Sequence, residues 1–127
     1  MALTNDQSLA DLTRLFDLLS EETRLRFVFL LAKGDSNVMS LGEDLKLAQP
    51  LASHHLGLLR MNGMVVANRK GKQVIYSLAE NIRSSGGKLR ISLPSATVTI
   101  EAGGRKISAG NRKSSGSSSS GALFDLS

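Results

Sequence analysis

Several residue types are missing or scarce in this sequence, and each absence excludes a class of protein. There is no cysteine, which excludes disulfides, Cys-ligated zinc, iron–sulfur clusters and thiol-based redox or metal sensing. Aromatic residues make up only 4%, with no tryptophan. No apolar run approaches the roughly 20 residues of a membrane span, and the N-terminal MALTNDQS lacks the pattern of a signal peptide. We therefore expect a soluble, cytoplasmic protein that binds no membrane, cofactor or metal.

The charge that is present is basic and unevenly spread. Residues 1–45 hold four basic and eight acidic residues, residues 46–82 hold five and one, and residues 83–127 hold seven and two. The first 82 residues are thus neutral overall but polarised along the chain. A basic balance points first to nucleic acid or another anionic surface, although solvated charges also cluster by chance.

The first third of the chain has the apolar spacing of two helices. Leucines and a phenylalanine recur at helical intervals over about 6–19, which predicts an amphipathic helix. A more widely apolar stretch, about 21–33, predicts a helix buried on several sides. Ser20 is its expected N-cap, and Gly34 ends it.

Two shorter helices and a hairpin are predicted next. A helix over about 38–46, capped by Ser36 or Asn37, is joined by a tight turn to a fourth helix over about 49–62, which is the helix-turn-helix pattern. Four residues at helical spacing should form the core face of this fourth helix: Ala52, His55, Leu56 and Leu59. Two strand-like runs, 64–68 and 73–78, then enclose the turn Arg69-Lys70-Gly71-Lys72. The expected fold is α+β, mainly α: a winged helix-turn-helix over residues 1–82.

After the wing, the residue pattern of the sequence changes. Residues 79–83 suggest a short helical turn, and alternating apolar residues over 83–102 predict a C-terminal β-hairpin extension, with its strands within about 88–102. Residues 103–127 form a Gly/Ser-rich basic tail that we expect to be disordered. The tail could add non-specific DNA affinity, present its apolar end to a partner, or only solubilise the chain.

Four segments together resemble the ArsR/SmtB-type bacterial repressors over about residues 8–80. They are SEETRLR at 20–26, LAQPLASHHLGLLR at 47–60, GMV at 63–65 and RKGKQVIYSL at 69–78. The resemblance implies a homodimeric transcriptional repressor that binds double-stranded operator DNA. It would place the helix of about 49–62 in the major groove and the wing, 69–72, on the DNA backbone or in the minor groove.

The sequence also departs from that family. Metal-sensing members carry a Cys-x-Cys pair in the third helix, where this chain has Asn37 and Met39. Other members place metal ligands in a long C-terminal helix that forms the dimer interface, but Ser84–Gly87 interrupts that helix here, and no histidine follows His55. The metal response is therefore not carried over, and the inducer is unknown. Strand pairing through the 88–102 hairpin could replace the missing dimer helix.

The face of the fourth helix opposite its core residues is the candidate DNA-reading surface. Glutamine can pair bidentately with adenine, and serine and histidine can bond base edges or phosphates. The candidates there are Gln49, Pro50, Ser53, His54 and Gly57. A solvated polar face is the alternative, and Gly57 is either a point of close approach to DNA or a tolerated glycine. His54 and His55 point about 100° apart on a helix, so they cannot chelate one metal ion.

Cations supply the candidate phosphate contacts, since they neutralise phosphates and release counterions. These are Arg60, at the end of the fourth helix, and three residues of the wing: Arg69, Lys70 and Lys72. The wing could instead be an ordinary soluble turn, and Arg60 could shield the core with its stem. A second hypothesis is a winged-helix protein-interaction module that recruits its partner through the C-terminal extension. An enzyme is disfavoured because no nucleophile or phosphate-binding loop has a suggestive spacing.

Overall fold

The computed structural model describes residues 5–101, which contain four helices and six strands. The helices are α1 (Asp6–Leu19), α2 (Glu22–Lys33), α3 (Val38–Leu45) and α4 (Gln49–Met61). The strands are β1 (Ser36–Asn37), β2 (Val65–Lys70), β3 (Gln73–Leu78), β4 (Ile82–Ser85), β5 (Lys88–Leu93) and β6 (Ala96–Glu101). This confirms the winged helix-turn-helix with a C-terminal hairpin; the predicted tail, 103–127, lies outside the described residues, as does residue 102.

The prediction that Ser20 caps α2 is wrong. Ser20 has helical dihedral angles and ends α1, where its hydroxyl donates to the Asp17 carbonyl at 2.8 Å. Glu21 is extended and its carboxylate accepts from the backbone N–H groups of Thr23 and Arg24, at 2.8 and 3.3 Å. An N-cap residue must leave the helical region, and only Glu21 does so here.

A tight turn sets the relation between α3 and α4. Lys46 adopts a left-handed conformation (φ 57°), and the N–H of Leu47 donates to the Gly42 carbonyl at 2.8 Å. A Cβ atom at Gly42 would lie 3.2 Å from the Leu47 carbonyl oxygen and 3.4 Å from Cβ of Ala52. The absence of a side chain at Gly42 therefore allows α3 to lie close to the first turn of α4. At the start of α3, Asn37 is the cap, and its side chain accepts from the N–H of Ser40.

The first sheet has the strand order β1-β3-β2 and is antiparallel. Strands β2 and β3 pair from Val65↔Leu78 to Lys70↔Gln73 and form the predicted wing. The two-residue strand β1 pairs with the middle of β3, a contact that the sequence pattern did not predict. This pairing ties the wing to the segment between α2 and α3.

The second sheet has the order β4-β5-β6. The predicted helical turn at 79–83 is wrong in its last residues, since Ile82 and Arg83 begin β4. Ile82 pairs with Ile91 and both are buried, so the core favours a strand at this point. Strands β5 and β6 confirm the hairpin predicted within 88–102. Its turn is attached to α1, because Ser95 Oγ donates to Asp11 and the Ser95 carbonyl accepts from Ser8 Oγ, both at 3.2 Å.

One hydrophobic cluster joins both sheets to the helices. Phe27, Val28 and Leu31 of α2 are almost fully buried at its centre, and Leu89 and Ile91 of β5 belong to the same cluster. No helix among residues 5–101 has the length and apolar character of a membrane span.

Candidate nucleic-acid interface

The inner face of α4 agrees with the sequence prediction. Its four predicted core residues are 0–9% exposed: Ala52, His55, Leu56 and Leu59. The helix begins after Ala48, which is extended and offers no side-chain cap, while Pro50 occupies the first turn. The Ala48 carbonyl accepts from the N–H groups of Leu51 and Ala52 at 3.1 and 3.0 Å. Packing on one side thus holds the helix and fixes which residues point outward.

Most of the candidate residues predicted on α4 are exposed. Five of them are exposed in the structure: Gln49, Pro50, Ser53, His54 and Arg60. Gln49, Ser53, Gly57 and Arg60 follow at i, i+4, i+8 and i+11, a spacing that aligns residues along one side of a helix. The structure therefore brings a glutamine, a serine and a guanidinium into one row that shares this helix side with Gly57.

Gly57 is half-buried, yet nothing in the described chain requires a glycine there. A Cβ atom built on it meets no heavy atom within 4 Å. This differs from Gly42, where backbone of the next turn lies close. Internal packing is therefore not the reason for Gly57, and approach of an external molecule remains compatible with it.

The wing tip is a two-residue turn with positive φ at Gly71 (67°) only, the φ pattern of a type II′ hairpin turn. Arg69, Lys70 and Lys72 are all exposed. Within residues 5–101 the ion pairs are Arg14–Asp11 and Arg26–Glu22, so no carboxylate neutralises the wing cations or Arg60. An anionic surface can therefore meet these charges without displacing a carboxylate of residues 5–101.

A short buried connection relates α4 to the wing. Gly63 has a left-handed φ of 76°, and the N–H of Met64 donates back to the Leu59 carbonyl at 2.9 Å. The Met64 carbonyl then accepts from the N–H of Ala79, just after β3. Met64 and Val65 are 3% and 2% exposed. The two clusters of candidate residues, on α4 and on the wing tip, thus sit on separate elements linked by a fixed turn.

Arg24 of α2 is a positioning residue that sequence reasoning did not single out. Its Nε donates to the Leu18 carbonyl of α1 at 2.7 Å, and its Nη1 lies 3.2 Å from Nδ1 of His55. Arginine can only donate, so Nδ1 accepts and the imidazole is neutral. Burial lowers the pKa of His55; Arg24 and His54 lower it further, while Glu21 opposes them. The only signal in the sequence was the family-like run that contains Arg24.

The outer face of α4 and the wing tip expose polar and positively charged side chains. Among residues 5–101 no group of three His, Asp or Glu side chains could hold a metal ion. The rings of His54 and His55 lie edge to face, with centroids 5.4 Å apart. Two apolar residues of α4, Leu51 and Met61, are also exposed, by 45% and 81%. Sequence reasoning did not identify them as surface residues. The surface offers hydrogen-bond donors, acceptors and positive charge to a partner.

Comparisons with known proteins agree with this geometry. A family model described as bacterial regulatory protein, arsR family, matches residues 21–66. The arsenical resistance operon repressor of Escherichia coli is 39% identical over 77 residues, which are 60% of this chain and 66% of that protein. The chain spans 59–66% of the length of the first curated relatives it matches.

Solved structures share the fold. The transcriptional repressor BigR of Xylella fastidiosa superposes with a TM-score of 0.55 and 33% identity, over 59% of this chain and 76% of that one. A homodimeric winged helix-turn-helix DNA-binding domain of Mycobacterium bovis gives 0.54 and 29%, over 62% and 76%.

Proposed function

The chain belongs to the ArsR family of bacterial regulatory proteins, and from this premise we propose that it is a transcriptional repressor that binds double-stranded operator DNA. The observation that carries the proposal is the outer face of α4, an exposed polar row on a helix whose opposite side is fully packed. The relatives are repressors and DNA-binding domains, so nothing favours the alternative of a protein-interaction module. The proposal implies a cytoplasmic location, because bacterial DNA lies in the cytoplasm.

In the proposed complex α4 lies in the major groove. Gln49 and Ser53, one turn apart near the start of the helix, face base edges, where an amide can pair bidentately with adenine. His54 lies beside them and contacts a base edge or a phosphate. Pro50 and Gly57 present little side chain, which lets the helix backbone approach the DNA.

The cations supply affinity rather than sequence choice. Arg69, Lys70 and Lys72 lie on a hairpin tip that can reach the backbone or the minor groove beside the recognition helix. Arg60 holds a phosphate at the far end of α4. Each phosphate neutralised releases counterions, so binding weakens steeply as salt rises.

We propose that two copies bind together. A dimer places its two recognition helices in successive major grooves, so the half-sites are about one helical turn, roughly 34–36 Å, apart. The homodimeric structure of the Mycobacterium bovis domain supports a dimer.

The experiment is selection of bound duplexes from a randomised pool by the full chain, followed by sequencing at two salt concentrations. The proposal predicts enrichment of an inverted repeat with half-sites about one turn apart. An outcome without enrichment at either salt concentration would contradict a role in operator recognition.

A further inference from the structure

The outer edge of β6 is open in the described part of the chain. Strand β6 pairs with β5 on one side, and the sheet order β4-β5-β6 places no strand on the other. An open edge presents a row of unpaired backbone groups, which is a template for a further strand.

The hydrogen bonds of Ser92 show which backbone groups of β6 point outward. Its N–H donates to the Asn81 carbonyl and its carbonyl accepts from Asn81 Nδ2, both at 2.9 Å, so Ser92 faces away from β6. Backbone direction alternates along an antiparallel ladder. Since Ser92 pairs with Thr97, the outward groups on β6 belong to Thr97, Thr99 and Glu101.

In the described part of the chain, this edge has few of the features that protect edge strands, and its one charged residue, Glu101, is the last of the strand. Proteins block such edges with lysine, proline, bulges or short strands. Strand β6 has the sequence ATVTIE, with neither lysine nor proline, and pairs without a bulge over six residues. The opposite edge, β4, has only four residues, includes Arg83, and is tied to α2 by Ser84, whose hydroxyl donates to the Ala32 carbonyl at 3.4 Å.

We propose that β6 pairs antiparallel with β6 of a second copy, with the two-fold axis at Thr99. The two three-stranded sheets then form one sheet of six strands. This inference deepens the proposed function, because it names the surface that joins the two DNA-binding copies, but the pairing itself is measurable without DNA.

The sequence of β6 is self-complementary in this register. Thr99 meets Thr99 of the second copy, and Thr97 meets Glu101, so all outward backbone groups are paired and no like charges meet. On the other face Val98 lies opposite Ile100 of the second copy, which keeps the half-buried apolar residues together. A shift by one residue would instead place threonines against this apolar face. These matches favour a second copy over an unrelated strand.

Cysteine cross-linking tests the register directly, because the natural chain has no cysteine. A hydrogen-bonded antiparallel pair has its Cα atoms about 5.5 Å apart, which is within the usual range for a disulfide. Thr99→Cys should therefore form a covalent dimer on mild oxidation. The matched control, Thr97→Cys, places the two sulfurs four residues apart along the strand, about 13 Å, and should remain uncross-linked. Equal cross-linking of both variants would contradict the register.

Proline substitution tests whether the edge holds the dimer. Thr99→Pro removes an outward N–H and leaves the bonds to β5, a position where proline is tolerated. The full chain should change from dimer to monomer by light scattering, with an unchanged far-UV spectrum. Ser84→Pro, the equivalent change on the outer edge of β4, should leave the dimer intact.

Three outcomes would overturn the inference. One is a wild-type chain that is monomeric, since another segment would then close the edge. The second is a Thr99→Pro variant that remains dimeric. The third is a dimer that Phe16→Glu dissociates and Thr99→Pro does not, because the exposed Phe16 of α1 would then lie in the interface. If Thr99→Pro fails to fold, the cross-linking of Thr99→Cys compared with Thr97→Cys tests the pairing instead. Specific DNA binding by a monomer would contradict this pairing and the proposed binding by two copies, but not operator recognition by α4.

Discussion

Arg24 and His55 join the second helix to the inner side of the candidate recognition helix. Nη1 of Arg24 lies 3.2 Å from Nδ1 of His55, and the same guanidinium donates through Nε to the Leu18 carbonyl of α1. One side chain therefore links α1, α2 and α4. Contacts on the inner side of α4 therefore fix the direction in which its exposed face points.

Removing Arg24 should lower stability. Arg24→Ala leaves the partly buried Leu18 carbonyl and the His55 nitrogen without this donor, and we expect a loss of about 1–3 kcal/mol in the free energy of unfolding, measured in urea. Arg14→Ala is the control, because Arg14 is 63% exposed and lies 3.6 Å from Asp11, whose buried carboxylate keeps its bonds to Gln7 and Ser95; we expect a loss of less than about 1 kcal/mol. Equal losses for the two variants would contradict the linking role.

The lowered pKa of His55 predicts a pH dependence. The unfolded chain binds a proton at His55 from about pH 6.5, while burial lowers the pKa in the folded state. Stability is therefore full above that value and falls as the pH drops below it. We expect the melting temperature to decrease as the pH is lowered from 7.5 to 5.5. Ordinary carboxylates titrate below this range, so they should contribute little to the decrease.

Two variants test whether His55 is the group that causes this pH dependence. His55→Gln should flatten the slope, whereas His54→Gln should leave most of it, because burial rather than His54 is the main cause of the lowered pKa of His55. A slope that persists in His55→Gln would place the titrating group elsewhere.

Two glycines of the helix-turn-helix should respond oppositely to substitution. Gly57→Ala meets no atom within 4 Å and relieves a mid-helix glycine, so it should stabilise by roughly 0.5–1 kcal/mol. Gly42→Val inserts side chain where a Cβ already lies 3.2 Å from the Leu47 carbonyl, and should destabilise by about 1–3 kcal/mol. Thermal unfolding measures both. If Gly57 marks close approach to DNA, Gly57→Ala also weakens operator binding while the protein becomes more stable; unchanged binding would identify a tolerated glycine.

The wing cations should control affinity through salt. Lys70→Ala or Lys72→Ala should weaken binding to all sequences alike and reduce the slope of log K against log salt by about 1 each. Lys33→Ala removes the same charge at the end of α2 and should leave the slope unchanged. Fluorescence anisotropy over a salt series measures these slopes. If Lys70→Ala, Lys72→Ala and Lys33→Ala all had the wild-type slope, the wing would not be part of the interface.

Local patterns were enough to predict most of the fold, and the errors have physical causes. The core face of α4 follows from helical periodicity alone, and the wing follows from alternation around a glycine turn. Ser20 failed as a cap because its backbone stays helical while Glu21, with a longer side chain, turns out of the helix. Ile82 reads as part of a helical turn until its partner Ile91, nine residues later, is known.

The candidate interface was predictable to a different extent. The exposure of the α4 residues and of the wing tip follows from the sequence, while their contacts with DNA stay predictions. The Arg24–His55 contact joins residues 31 positions apart, and the space around Gly42 and Gly57 depends on how helices pack. No local pattern contains such information.

The most direct measurement is the ratio of the Kd for a scrambled duplex to the Kd for the selected duplex, at one fixed salt concentration. Specific binding predicts a ratio of at least about 10³ for the wild-type chain. Gln49→Ala should lower this ratio by a factor that corresponds to about 1–3 kcal/mol, because discrimination is lost at one base position. Gln7→Ala, on α1, should leave the ratio unchanged. A wild-type ratio near 1 would contradict sequence recognition by α4.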